Sequence, residues 1–172
     1  MSAAHPIARP LVDDQPHTRS APPPVPRTRT HPPGLYVLSA AEACERFGFY
    51  LMLALFTLYL NEHFGFSTER AINWYGWYIS AVYFTPLFGG WLGGRGFERR
   101  TWVLIGATIL GGGYFLLSMG TATSLLASMF VLALGNGLFK PNISTLVGGL
   151  YEHGDSRRDE AFGIFYVSVN IG

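Results

Sequence analysis

Four ionisable side chains sit in stretches that otherwise read as lipid-buried: Glu42, Glu45 and Arg46 in one apolar segment, and Lys140 in another. An ionised residue at the centre of a membrane helix costs about 2.5–3.5 kcal/mol on insertion scales, so these four must face one another or a wet cavity. The spacing agrees. Glu42 and Arg46 are i,i+4 and Glu42 and Glu45 are i,i+3, which places all three on one helix face. Two carboxylates balance two cations, and protonating either glutamate breaks that balance and frees a cation. This is what a proton switch requires, or a cation that alternates between a carboxylate and an anionic substrate. The competing reading is a static ion cluster near a helix end, with Arg46 snorkelling to the interface. Glu42 lies only about 10 Å into its segment, at 1.5 Å per residue. Lys140 weighs against that reading, because snorkelling needs no second cation on another helix. Pro141 follows directly and frees a backbone carbonyl at membrane depth, which suggests a kinked helix carrying a cation beside a cavity.

The elements that must position these groups follow from composition. Of the 172 residues 49% are hydrophobic and only 13% charged, against about a quarter charged in soluble domains. Residues 101–139 form an uncharged run of 39, and a membrane span needs only about 20. Five apolar segments are expected, at about 35–60, 71–92, 101–119, 125–150 and 160–172. The first four are long enough to cross a bilayer, whereas the fifth is too short. The expectation is therefore an all-α integral membrane protein with four complete transmembrane helices and the start of a fifth. Nine of the 11 prolines fall within residues 1–33, with Arg9, Arg19, Arg27 and Arg29, which predicts a disordered Pro-rich cytoplasmic tail. Residues 34–172 would form the membrane bundle.

Basic residues orient it. Nine of the 12 Lys and Arg lie in the tail and in the loops after the second and fourth segments, against Arg70 alone on the opposite side. The positive-inside rule then places the N-terminus in the cytoplasm. Trp74, Tyr75, Trp77 and Tyr78, and Trp91 and Trp102, fall where interfacial aromatic belts are expected. Gly90 and Gly94, four apart, and Gly111 to Gly113 suit close helix packing.

Other classes are excluded by what the chain carries. A net charge of +1 offers no phosphate-binding excess, so nucleic acid is not an expected partner. The single cysteine, Cys44, supports neither a disulfide framework nor a thiolate metal site, and reads as a small buried packing residue. Hydrolase, zincin and nucleotide-binding signatures are missing, and Gly135-Asn136-Gly137 alone is a weak motif. No enzyme activity, cofactor or metal is expected. No histidine falls within a span, so a proton relay here must use carboxylates.

The stretch Glu42-Ala43-Cys44-Glu45-Arg46-Phe47-Gly48-Phe49-Tyr50 resembles the first-helix signature of proton-dependent oligopeptide transporters, Glu-x-x-Glu-Arg-Phe-x-Tyr-Tyr. Gly137-Leu138-Phe139-Lys140-Pro141-Asn142-Ile143-Ser144 is similar to that family's fourth-helix motif. Phe165-Tyr166-Val167-Ser168-Val169-Asn170-Ile171-Gly172 resembles its fifth-helix motif. The resemblance covers residues 34–172 and implies a major facilitator superfamily fold of two halves, of which this chain would be most of the N-terminal one. It implies that Glu42, Glu45 and Arg46 take part in proton coupling. Arg46, Lys140 and Tyr50 would hold a peptide carboxylate, Asn170 would lie near the peptide's amino end, and Tyr83 would line the cavity. Departures exist: Phe49 replaces a tyrosine, and Leu53 stands where many members carry a second arginine. The loop from Gly89 to Arg100 resembles the superfamily's gating motif, with Arg95 and Arg99 retained, Gly94 in place of its aspartate and Glu98 as the only nearby acid to substitute.

The function so implied is proton-coupled symport of di- and tripeptides across the plasma (inner) membrane, with protons, lipid and a second half of the transporter as partners. Two alternatives stand beside it. One keeps the fold and changes the substrate to nitrate or another small anion. The other is a truncated, non-transporting membrane protein whose ion cluster is structural.

Overall fold

The computed structural model describes residues 30–172, so the expected tail lies outside the described residues except for its last four positions. Five helices follow in order: α1 (Pro33–Phe64), α2 (Thr68–Gly93), α3 (Arg99–Ser118), α4 (Ala122–Gly149) and α5 (Arg157–Ile171). No strand occurs among the described residues. Local sequence sets the ends. Pro33 opens α1, where a missing N–H costs nothing, and Gly65 closes it at φ 64°, a left-handed conformation that favours glycine. Ser67 caps α2 by accepting from the Arg70 N–H. Thr121 and Ser124 form a reciprocal capping box at α4. Each boundary lies within four residues of the one expected from hydropathy.

Length and composition together single out α1, α3 and α4 as apolar enough to cross a membrane. The remaining one of the four expected spans, α2, falls outside that set on mean hydropathy alone. Its 26 residues suffice in length, but Trp74, Tyr75, Trp77, Tyr78, Tyr83 and Trp91 are amphipathic rings that lower its mean hydropathy.

The centre of the bundle is α4, whose surface is largely buried apart from the stripe of Leu126, Phe130 and Leu134. It packs along α3 and α2, while α1 pairs mainly with α5. Glycines bring these backbones together, in a register one residue from that expected. A Cβ at Gly89 would overlap the Gly137 carbonyl oxygen, and one at Gly93 would overlap the Asn142 amide. Gly90 meets only the Pro141 Cβ, at 3.6 Å, and Gly94 only the Trp91 carbonyl, at 3.8 Å. Within the expected glycine triplet only Gly113 packs closely, against Leu132; Gly111 and Gly112 face open space.

Pro141 does not interrupt α4, which runs unbroken from Ala122 to Gly149. A proline deprives the carbonyl four residues earlier of its helical partner, here Gly137. That oxygen is the one pressed against Gly89, so a Cα–H···O contact from α2 faces the orphaned acceptor. Proline and glycine thus act as one packing device.

At the far end of α4 the chain before α1 is clasped to the next loop. His31 Nδ1 lies 2.8 Å from the Tyr151 hydroxyl, and Arg157 donates to the Thr30 carbonyl at 2.9 Å. Hydrogen bonds from Arg157 also hold the Asp155 carboxyl below the usual carboxylate range.

Candidate functional site

Helix α1 carries Glu42, Glu45 and Arg46 on its inner face, where they are 1%, 8% and 3% exposed. The three do share a face, as the spacing required. Their pairing differs from the simple helical rule. Arg46 forks onto its neighbour Glu45, with Nε 2.5 Å from Oε2 and Nη2 2.6 Å from Oε1. The i,i+4 partner Glu42 is farther, at 3.7 Å from Nε. A bidentate guanidinium–carboxylate pair is the strongest such arrangement in a dry interior. The Arg46 guanidinium also lies over the Phe49 ring, 4.5 Å from its centroid, and 5.8 Å from that of Tyr50.

Helix α4 approaches the cluster from the other side. Asn136 Nδ2 donates to Glu45 Oε1 at 2.9 Å and thereby ties α4 to α1. One turn on, the ammonium of half-buried Lys140 makes no hydrogen bond or ion pair among the described residues. A cleft of about 270 Å³ joins these groups and is lined by Arg46, Phe49, Tyr50, Val82, Tyr83, Pro86, Asn136 and Lys140. Two cations from separate helices therefore face one cavity, one clasped by a carboxylate and one without a partner. Glu42 Oε2 is buried and has no hydrogen-bond partner among the described residues.

The cleft brings together four of the five residues expected to bind substrate: Arg46, Tyr50, Tyr83 and Lys140. The fifth, Asn170, does not line it. Its side chain is exposed on α5 and donates to the Tyr166 carbonyl of its own helix at 2.7 Å. Cys44 is exposed rather than buried, because it points away from the face that Glu42 and Glu45 share. The site residue that sequence reading passed over is Asn136. Its signal was a polar side chain between two glycines inside an uncharged run.

At the loop between α2 and α3, Arg95 stacks over Trp91 at 4.3 Å. Arg99 reaches Asn142 Oδ1 at 3.5 Å. Glu98 precedes α3 and is exposed, with no ion pair among the described residues. Buried Asn142 also donates to the Gly89 and Leu138 carbonyls, at 3.2 and 2.7 Å. That end of the α2–α4 interface is thus pinned by an amide.

Residues 100–172 match the profile of the POT family. The chain is 38% identical over 148 residues to an uncharacterized transporter, YclF, of Bacillus subtilis (strain 168), covering 83% of this chain and 30% of that protein. It is 36% identical over 143 residues to dipeptide and tripeptide permease A of Escherichia coli (strain K12), covering 82% and 29%. Its fold matches a crystal structure of a peptide transporter POT in complex with sulfate at a TM-score of 0.79, with 36% identity, over 82% of this chain and 30% of that one. A POT family transporter in complex with 5-aminolevulinic acid matches equally well, at 0.79 with 37% identity and the same coverage. The chain spans about 30% of the length of the relatives it matches. Helices, spans and matches agree: the chain belongs to the POT family, and its bundle is of the major facilitator superfamily fold.

Proposed function

We propose that this chain forms part of a proton-coupled symporter of di- and tripeptides, embedded in the plasma (inner) membrane with its N-terminus in the cytoplasm. The observation that carries the proposal is the cleft in which Arg46 is clasped by buried Glu45 while Lys140 stands unpaired. An unpaired ammonium beside an open cleft suits the carboxylate of a peptide. A guanidinium held by a protonatable acid is released to the same carboxylate when a proton arrives. Proton and peptide thereby bind together, which is the coupling a symporter needs. Alternating access would rock this bundle against a second half, around the shared site. The membrane potential supplies about 2.3 kcal/mol per charge per 100 mV.

The sign of the pH dependence follows. Protons load the glutamates from the acidic side, so uptake rises as external pH falls. In the full-length protein, labelled dipeptide uptake is expected to be pH-dependent and to be abolished in Glu45→Gln and in Lys140→Ala. Unlabelled dipeptides compete and nitrate does not. Normal uptake in both variants refutes the mechanism, and competition by nitrate refutes the substrate. None of the relatives described above is a nitrate carrier by its description. A purely structural cluster accounts poorly for a lysine whose ammonium has no hydrogen-bond or ion-pair partner among the described residues.

Gating by Arg95, Glu98 and Arg99 belongs to the same proposal. Glu98 has no ion pair among the described residues in this conformation, so its part would be played in another, in which the loop closes. Glu98→Gln is expected to slow maximal uptake severalfold while leaving the half-saturating peptide concentration unchanged. Unchanged maximal uptake removes Glu98 from the gate.

A further inference from the structure

We infer that Asn136 is a positioning residue for proton coupling, whose side-chain amide suits both protonation states of Glu45. The inference rests on the reading of Glu45 as a proton-binding group. With Glu45 ionised, Asn136 Nδ2 donates to Oε1 at 2.9 Å. Its own Oδ1 is then buried without a partner among the described residues, and the residue is only 2% exposed. A buried orphan acceptor is a standing cost. It becomes useful when Glu45 takes up a proton. The carboxyl then carries one O–H and must donate it, and a half-turn of the amide brings Oδ1 to accept it. One proton is gained by Glu45, Arg46 keeps its own, and the amide exchanges none. A permanent donor in that position would oppose protonation, and an apolar side chain would oppose ionisation. An amide opposes neither.

The backbone around Asn136 is held so that this contact is rigid. Gly135 packs against Leu110 and Gly106 of α3, and Gly137 against Thr85 of α2. The amide therefore projects from a fixed point toward α1. The titratable and charged groups around it are Glu42, Glu45, Arg46 and Tyr50 of α1, Tyr78 and Tyr83 of α2, Tyr114 of α3 and Lys140 of α4. Of these, Glu45 is the one to which Asn136 is hydrogen-bonded.

The test is a pH titration of the full-length protein in lipid, read by infrared difference spectroscopy of the protonated-carboxyl stretch. Glu45→Gln assigns the band by removing it. In Asn136→Leu the band's midpoint is expected to move upward by about one pH unit, because the hydrogen bond lost to the carboxylate is stronger than the one lost to the neutral acid. In Asn136→Thr, whose hydroxyl both donates and accepts, it stays within a few tenths of a unit. If Asn136→Leu fails to fold, Asn136→Ala gives the same readout. An unmoved midpoint in the apolar variant overturns the inference. So does an equal displacement in Asn136→Thr, which would mark a packing effect, and so does a band that never titrates. Peptide uptake is measured on the same preparations. A displaced midpoint without any peptide uptake supports the role of Asn136 and counts against the transport reading alone.

Discussion

Arg46→Met is expected to abolish coupled uptake in the full-length protein and to lower its stability by about 3–5 kcal/mol, the cost of removing one partner from a buried ion pair. The substitution keeps most of the side chain's volume and deletes the fork. It leaves Glu42 and Glu45 buried at 1% and 8% exposure, with the Asn136 amide as the remaining donor to Glu45. Two neighbouring carboxylates left with Lys140 as their one nearby cation carry a surplus negative charge, so one of them takes up a proton. Adding Glu45→Gln to Arg46→Met removes the surplus charge. The double variant is therefore expected to recover much of the lost stability and none of the uptake. Arg46→Lys is not a conservative control: an ammonium cannot make the parallel 2.5 and 2.6 Å bonds that the guanidinium makes. It is expected to fold and to transport at least about tenfold more slowly, equivalent to 1.4 kcal/mol. Thermal unfolding and dipeptide uptake of the three variants check the prediction. Wild-type stability in Arg46→Met would mean that the cluster is not what holds these acids in the bundle.

How much of this was legible beforehand depended on the size of each energy involved. Charges at membrane depth are so costly that Glu42, Glu45, Arg46 and Lys140 had to converge, and helix periodicity alone put the first three on one face. The cleft that Arg46 and Lys140 share was thus implied by cost and period. Which carboxylate Arg46 would clasp was not. Choosing adjacent Glu45 over i,i+4 Glu42 is a matter of side-chain rotamer, which spacing does not encode. Asn136 was noted only within a weak glycine motif and given no role at the site, because a neutral amide is cheap enough to sit in an apolar run without demanding an explanation. Asn170 was placed by motif alone, and its amide instead satisfies its own helix. The glycine register failed for another reason. Gly89, Gly90, Gly93 and Gly94 offer two overlapping four-residue pairs, and only the rotation of α2 against α4 decides between them.

That ambiguity provides a sharp experiment, because one substitution should have opposite effects at neighbouring positions. Gly→Ala in a helix interior is ordinarily favourable by about 1 kcal/mol, since alanine loses less backbone freedom on folding. At Gly90 nothing opposes this: the added methyl meets the Pro141 Cβ at 3.6 Å, an ordinary contact. Gly90→Ala is expected to be neutral or slightly stabilising. At Gly89 the same methyl would overlap the Gly137 carbonyl oxygen. That neighbour is backbone and has no rotamer to change, so α2 and α4 must separate. Overpacking of a tight core costs about 1–3 kcal/mol, and Gly89→Ala belongs at the upper end because no side chain can yield. The damage reaches the site as well. Gly137 adjoins Asn136 and lies less than one turn from Lys140, so displacing it draws the Asn136 amide off Glu45 and shifts the lysine in the cleft. Gly89→Ala is therefore expected to unfold at a markedly lower temperature than Gly90→Ala in the same detergent and to lose uptake with it. Equal unfolding temperatures for the two would show that the Gly89–Gly137 approach does not hold α2 against α4, and the packing account of the Gly137 carbonyl would fall with it.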